Sequence, residues 1–257
     1  MVIVVILILV SMSSSTPKQL GQSTASAQLV SAVTQIPSGI YDQVGTGGSL
    51  VSSPPTKLNS AALTSNGKPE VLYMGDDWCP YCGAERWALI TALSRFGTIS
   101  DLETGYSSST DVYPNTPTFS LATVKYSSPY LSFVAVEMET VTHAPLENPT
   151  SLENNLLNKY SKGNIPFIDI GGKWLSSANY SPQVLQGLTQ QSVAANLSSP
   201  TSQTTQSIIG AANYLSATFC SIDGNQPANV CNSAGVAAAK NSLKIPAKTT
   251  GNNHSHI

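Results

Sequence analysis

The sequence predicts an α/β protein, a mixed sheet flanked by helices, followed by a C-terminal pair of helices stapled by a disulfide. Three observations carry that prediction. An apolar run, Val71-Leu72-Tyr73-Met74, leads through Trp78-Cys79-Pro80-Tyr81-Cys82 into a helical pattern from Ala84 to Phe96. Downstream, Ile165-Pro166 opens a second apolar run, Phe167-Ile168-Asp169-Ile170, which ends in Gly171-Gly172. Finally, a helical stripe of Ile208, Ala211, Ala212, Leu215 and Phe219 stops at Cys220, and Cys231 follows after a turn-forming loop, Asp223-Gly224-Asn225-Gln226-Pro227.

A C-x-x-C at the junction of a strand and a helix reads as a thioredoxin-like redox motif, so the core is expected to be thioredoxin-like. At a helix start, free N–H groups and the helix dipole favour a negative charge. There the thiol of Cys79 can ionise below its unperturbed value of about 8.5. Pro80 suits the first helical turn, which has an N–H to spare. Cys82 lies one turn on, placed to close a disulfide with Cys79. Half of a zinc site is the competing reading. Cys220 and Cys231 form no second C-x-x-C, and His143, His254 and His256 fall at no finger-like spacing, so no metal is expected. Ile165-Pro166 fits the slot where a thioredoxin fold places a cis-proline facing the C-x-x-C, and Gly171-Gly172 fits the following turn.

In chain order, residues 1–12 are expected to be a signal or anchor segment. Met1 to Val10 is unbroken apolar sequence, short of the roughly 20 residues of a full span. Residues 13–30 read as a Ser/Thr-rich tether and Val30 to Lys68 as an extended lead-in. Glu70 to Met74 is a strand buried on both faces, and Cys79 to Phe96 is a helix stopped by Gly97. Asp101 to Pro117 reads as a polar loop, Thr118 to Val124 and Leu131 to Val141 as strands. Thr150-Ser151-Leu152-Glu153 is a capping box for a helix to about Tyr160. Pro166 to Ile170 and Lys173 to Ser176 form a hairpin. Ser181-Pro182 caps a helix to about Leu197, Gln203 to Phe219 is another, and Cys231 opens a last short one. These give a thioredoxin-like domain over 31–200, a helical extension packed on it over 201–245, and a flexible tail over 246–257.

Composition bounds the partners. The chain has 257 residues, 41% hydrophobic but only 10% charged, with a net charge of −2. Nothing in that balance suggests nucleic acid or an anionic surface as partner. Four cysteines fit an oxidising, extracytoplasmic setting. Asn179, Asn196 and Asn253 head N-x-S sequons and are glycosylation candidates in such a setting. Cys220 and Cys231 are expected to form a structural disulfide; a relay to the C-x-x-C is the rival role.

The runs Asn66 to Tyr73, Cys79 to Ala88, Leu93 to Gly97, Tyr113 to Phe119, Ser128 to Phe133 and Pro166 to Ile170, with the Cys220 to Cys231 segment, resemble an uncharacterised thioredoxin-like family of exported bacterial and archaeal proteins with a C-P-Y-C motif. The similarity covers about residues 35 to 240. It implies the fold and the extracytoplasmic setting, but no activity. Classical thioredoxins keep a buried acid at the position that is Tyr73 here. Glu85, Asp76 and Asp77 are the candidate replacements, a surface Glu85–Arg86 pair being the plain alternative for Glu85.

The expected function is a secreted or membrane-anchored thiol-disulfide oxidoreductase acting on protein thiols and disulfides with an unidentified redox partner and no cofactor. Cys79 attacks, Cys82 resolves, Glu85 handles protons, and Pro166 shapes a substrate groove with Trp78, Pro80, Tyr81 and Ile165. The alternative is a non-enzymatic structural or interaction component of the cell envelope.

Overall fold

In a computed structural model, residues 21–246 are described. The expected segment 1–12, Asn253 and the tail beyond residue 246 lie outside them. The elements begin with β1 (Ser23–Thr24), α1 (Ala27–Thr34) and α2 (Ser38–Val44). Short strands β2 (Thr56–Lys57) and β3 (Thr64–Ser65) precede β4 (Lys68–Gly75) and α3 (Pro80–Leu93). Then come β5 (Thr98–Ser100), β6 (Glu103–Tyr106), β7 (Pro117–Ser120), β8 (Lys125–Ser127) and β9 (Ser132–Glu137). The rest is α4 (Ser151–Ser161), β10 (Phe167–Ile170), β11 (Trp174–Ser176), α5 (Gln190–Asn196), α6 (Gln203–Ile222), α7 (Ala228–Cys231) and α8 (Ala234–Ser242).

The central sheet is mixed. β4 pairs in parallel with β9 and antiparallel with β10; β11 and then β2 continue beyond β10, and β3 folds back onto the first residues of β4. Successive side chains of a strand point to opposite faces. Val71 and Tyr73 of β4, with Ile168 and Ile170 of β10, therefore enter the larger core beside α3 and α6. Leu72, Met74 and Phe167 enter a smaller core closed by Leu156 and Leu157 of α4. Both faces are covered, which is why β4 reads as a continuous apolar run. α3 is buried along nearly its whole surface, including Glu85 and Arg86. Among the described residues no helix is long and apolar enough to cross a membrane.

Several boundaries differ from expectation. The tether ends earlier: β1 pairs with β6, and Ser26 Oγ accepts the Leu29 N–H at 3.2 Å to start α1, whose Leu29 and Val33 are buried. The lead-in thus carries two helices, the second bound to α6 by Asn213 Nδ2 donating to the carbonyls of Tyr41 and Gly45. The polar loop 101–117 contains β6, paired with β7, which is shorter than the strand expected from Thr118 to Val124. The helix expected from Ser181 to Leu197 is a 3₁₀ turn (Pro182–Leu185) and α5, divided where Gly187 takes a positive φ of 74°. α6 packs deeply, with Ile208, Leu215 and Phe219 in the main core. Cys231 closes α7 rather than opening a helix. The Cys220–Cys231 disulfide is formed, with Cα atoms 5.6 Å apart.

Candidate functional site

β4 runs out at Gly75, and Asp76-Asp77-Trp78 turns the chain into α3. The turn is held by the Asp77 N–H on Glu139 O (2.9 Å) and the Cys79 N–H on Asp76 O (3.2 Å). Cys79 is the N-cap of α3 and Pro80 its first residue. Cys79 Sγ accepts the Cys82 N–H at 3.1 Å, the position an aspartate or serine oxygen usually fills. Both cysteines are present as buried thiols, Cys79 4% exposed and Cys82 not at all. The two are driven apart in acidity. A hydrogen bond from the Cys82 thiol, the Cys82 N–H and the charge of Arg86 bring Cys79 below its ordinary value, against burial and the charge of Asp76. Burial and the neighbouring Cys79 push Cys82 well up.

Cys79 opens onto a groove of about 420 Å³ lined by Asp76, Trp78, Pro80, Tyr81, Asn164 and Ile165, among others. The β4–β10 pairing ends at Met74–Phe167, so Ile165-Pro166, joined by a cis peptide bond, lies beside the turn into α3. Tyr81 stands 39% exposed at the rim with its ring edge-on to Tyr113. Trp78 Nε1 donates to Glu139 Oε2 at 2.8 Å, and the His143 ring stacks on Trp78 with centroids 4.7 Å apart. Asp76 faces this groove. Burial and the charge of Glu139 push its carboxyl up to about 6, and its buried Oδ1 has no hydrogen-bond partner.

Behind Cys82 lies a buried polar cluster. Arg86 donates from Nε and Nη2 to Glu137 Oε1 and Oε2 (2.8 and 2.6 Å), and from Nη2 to the Asp76 carbonyl (2.7 Å). Neither side chain of this pair reaches solvent. Burial pushes Glu137 up while the guanidinium pulls against it. The two parallel short bonds are those of a carboxylate on a guanidinium. Tyr73 completes the cluster. A Cβ at Gly75 would collide with Tyr73 Oη and stand 3.2 Å from Cys82 Sγ, so only glycine fits between the phenol and that thiol.

Trp78, Cys79, Pro80, Tyr81 and Ile165 thus converge on one groove, with Cys82 and Pro166 buried beside it. Glu85 faces elsewhere. It accepts the Asn179 N–H at 3.0 Å and the Asn179 side-chain amide, is pushed up to about 8 by burial, and is not among the groups that shift either thiol. The alternative surface Glu85–Arg86 pair is absent too, since both are buried and Arg86 holds Glu137. Asn179 itself is fully buried against Glu85, which leaves no room for a glycan there; Asn196 is half-buried at the end of α5. Sequence reasoning missed Arg86–Glu137. The available signals were an arginine one helical turn past Cys82 and a carboxylate ending an apolar strand. Among the described residues no group of His, Cys, Asp and Glu could hold a metal ion.

Comparison with curated proteins and with solved structures finds no match. A family model does match, over residues 54–221, a stretch that takes in β4, the C-x-x-C, the groove and most of α6: the chain belongs to the family described as a domain of unknown function (DUF929).

Proposed function

We propose that this chain is a thioredoxin-like thiol-disulfide oxidoreductase acting on protein thiols and disulfides outside the cytoplasm. One observation carries the reading: Cys79 Sγ sits at the N-cap of α3, acidified by Cys82 and Arg86, and opens onto a groove, while its neighbour Cys82 is shut away and keeps its proton. In the reductive direction the Cys79 thiolate attacks a client disulfide. A Cys79–client disulfide forms, and the client's other sulfur leaves as a thiolate. Cys82 then loses its proton, attacks Cys79 Sγ, and the second client sulfur departs. Two electrons and two protons pass from the cysteine pair to the client, and Cys79–Cys82 becomes a disulfide. The reverse sequence oxidises a dithiol. Asp76 is the group placed to exchange the protons, being in the groove with a carboxyl near 6. The extended client backbone runs along Ile165-Pro166 and Trp78. The apolar Met1–Val10 run and the Cys220–Cys231 disulfide support an extracytoplasmic setting.

The test is turnover of insulin disulfides with dithiothreitol as reductant, together with reactivation of scrambled ribonuclease. Rates above background that vanish in Cys79→Ser are expected. Rates no higher than those of a Cys79→Ser/Cys82→Ser variant would refute the reading.

A further inference from the structure

A second cavity, larger than the groove at about 630 Å³, lies at the other end of the β10–β11 hairpin. It surrounds Trp174, which pairs with Ile170, whereas the cysteine groove adjoins the opposite end of β10. Its lining is unusual for this chain. With only 10% charged residues, four of the twelve Lys and Arg side chains (Lys57, Lys173, Lys240 and Lys244) meet here, and no Asp or Glu lines the cavity.

The lysines come from separate segments. Lys57 lies on β2 directly opposite Trp174, Lys173 precedes Trp174, and Lys240 and Lys244 come from α8 and the residues after it. Lys240 is engaged: its Nζ donates to Asn225 Oδ1 and to the Cys231 carbonyl at 2.8 Å. The other three have no carboxylate within ion-pair distance and donate no side-chain hydrogen bond among the described residues. Asp223, the acid of the neighbouring loop, turns Oδ1 to the N–H groups of Asn225 and Gln226, and its charge acts on Lys240, the lysine already engaged. Trp174, Ile222 and Ile245 contribute apolar surface to the same lining.

We propose that this cavity binds an organic anion, a phosphate-class group carried on an apolar moiety. Three ammonium groups are compact, strongly hydrated point charges, each able to reorient its donors. A phosphate monoester offers three strong acceptor oxygens and nearly two negative charges to match them, where a carboxylate offers two oxygens and one charge. The apolar part of the lining takes the attached group, which free phosphate lacks. A soluble phosphate monoester and the monoester headgroup of phosphatidic acid share this chemistry. The proposal is independent of the cysteine chemistry.

The experiment is calorimetric titration of the full-length protein with hexyl phosphate, inorganic phosphate and hexanol. The variants are Lys57→Gln/Lys173→Gln/Lys244→Gln and a charge-matched control, Lys125→Gln/Lys159→Gln/Lys162→Gln, whose lysines line neither cavity. One saturable site for hexyl phosphate is expected, tighter than for phosphate or hexanol. It should weaken about tenfold or more in the first variant, through loss of three charge-assisted contacts, and hold in the control. Should the first variant melt early, Lys244→Gln alone gives the same comparison. No saturable binding of hexyl phosphate, equal weakening in the control, or hexanol bound as tightly would overturn the proposal. Vesicles of phosphatidic acid, whose headgroup is a phosphate monoester, in phosphatidylcholine then identify the source. A difference between wild type and the first variant assigns a lipid headgroup, and identical vesicle binding assigns a soluble ester.

Discussion

Arg86 grips Glu137 through two parallel hydrogen bonds, one helical turn beyond Cys82, in a pair fully shut off from water. The same guanidinium holds the Asp76 carbonyl and draws both thiols toward ionisation. One side chain therefore joins α3, β9 and the turn that carries the cysteines. A buried pair of this kind is a weak source of net stability, but each partner depends strongly on the other.

Removing Arg86 should have two separable effects. Arg86→Met leaves Glu137 buried without its counter-charge and should cost about 3–5 kcal/mol in chemical unfolding. The Cys79 thiol should also become less acidic, seen as a shift to higher pH in its alkylation profile. The further change Glu137→Gln should recover part of the stability but not the thiol's acidity. An Arg86→Met protein with unchanged stability and an unchanged profile would show that the pair is incidental.

The two thiols should differ sharply in reactivity. In the reduced protein at neutral pH, iodoacetamide should modify Cys79 at least about tenfold faster than Cys82, because only Cys79 is both acidified and on the groove. Cys82→Ala should accumulate mixed disulfides with clients and Cys79→Ala none. Mass spectrometry showing equal labelling of both sulfurs would count against the assigned roles.

Asp76 should leave its mark on the pH profile. With a carboxyl near 6, it accepts a proton from Cys82 only above that pH, so breakdown of a preformed Cys79–client disulfide should quicken as pH rises through about 6. Asp76→Asn should erase that limb and slow the step about a hundredfold, a typical loss for a positioned base. Its charge also opposes ionisation of Cys79, so the same variant should make Cys79 more acidic. A retained limb near pH 6 would move the role to another group.

The sequence made β4, the N-cap cysteine, the capping box at Thr150 and Glu153 and the Gly171-Gly172 hairpin readable, because each is local. The structure has both reciprocal capping-box bonds and places Gly171 and Gly172 at positive φ. A side chain at Gly172 would collide with the Ala61 carbonyl, so the turn is pinned by the loop packed on it. What escaped was short or distant. β5, β6 and β8 are only three or four residues each, too brief and polar for alternation to register. Arg86 and Glu137 are far apart in sequence, and each alone looks like a surface residue; only the fold shows that both are interior. Glu85 looked like a proton carrier because it lies close to Cys82 along the helix, but α3 turns it toward Asn179.

Glu85 should instead govern stability against pH. Its folded carboxyl is raised from about 4.5 to about 8 by burial. Between those values the folded chain keeps a proton that the unfolded chain has lost. Unfolding releases it, so stability falls as pH rises across that window and levels off above it. The full fall attributable to this group is on the order of 3–5 kcal/mol. Glu85→Gln should reduce by one the protons released on unfolding near pH 6 to 7 and flatten the melting-temperature profile. A parallel profile, merely shifted, would show that Glu85 is ionised in the folded protein.

Cys220–Cys231 should prove structural. The bridge spans a sequence separation of 11 and ties the end of α6 to α7. Nearby, Lys240 Nζ on the Cys231 carbonyl adds a contact from α8. Closing a loop of this size stabilises by about 2–3 kcal/mol on the chain-entropy estimate, through the freedom it removes from the unfolded chain. Both cysteines are buried in the main core, and neither lines the groove onto which Cys79 opens. A relay would need the two cysteine pairs to meet, and the fold holds them on different elements. Cys220→Ser/Cys231→Ser should therefore melt several degrees lower while keeping its turnover at a temperature where it remains folded. Turnover lost at an unchanged melting temperature would show instead that electrons pass through this pair.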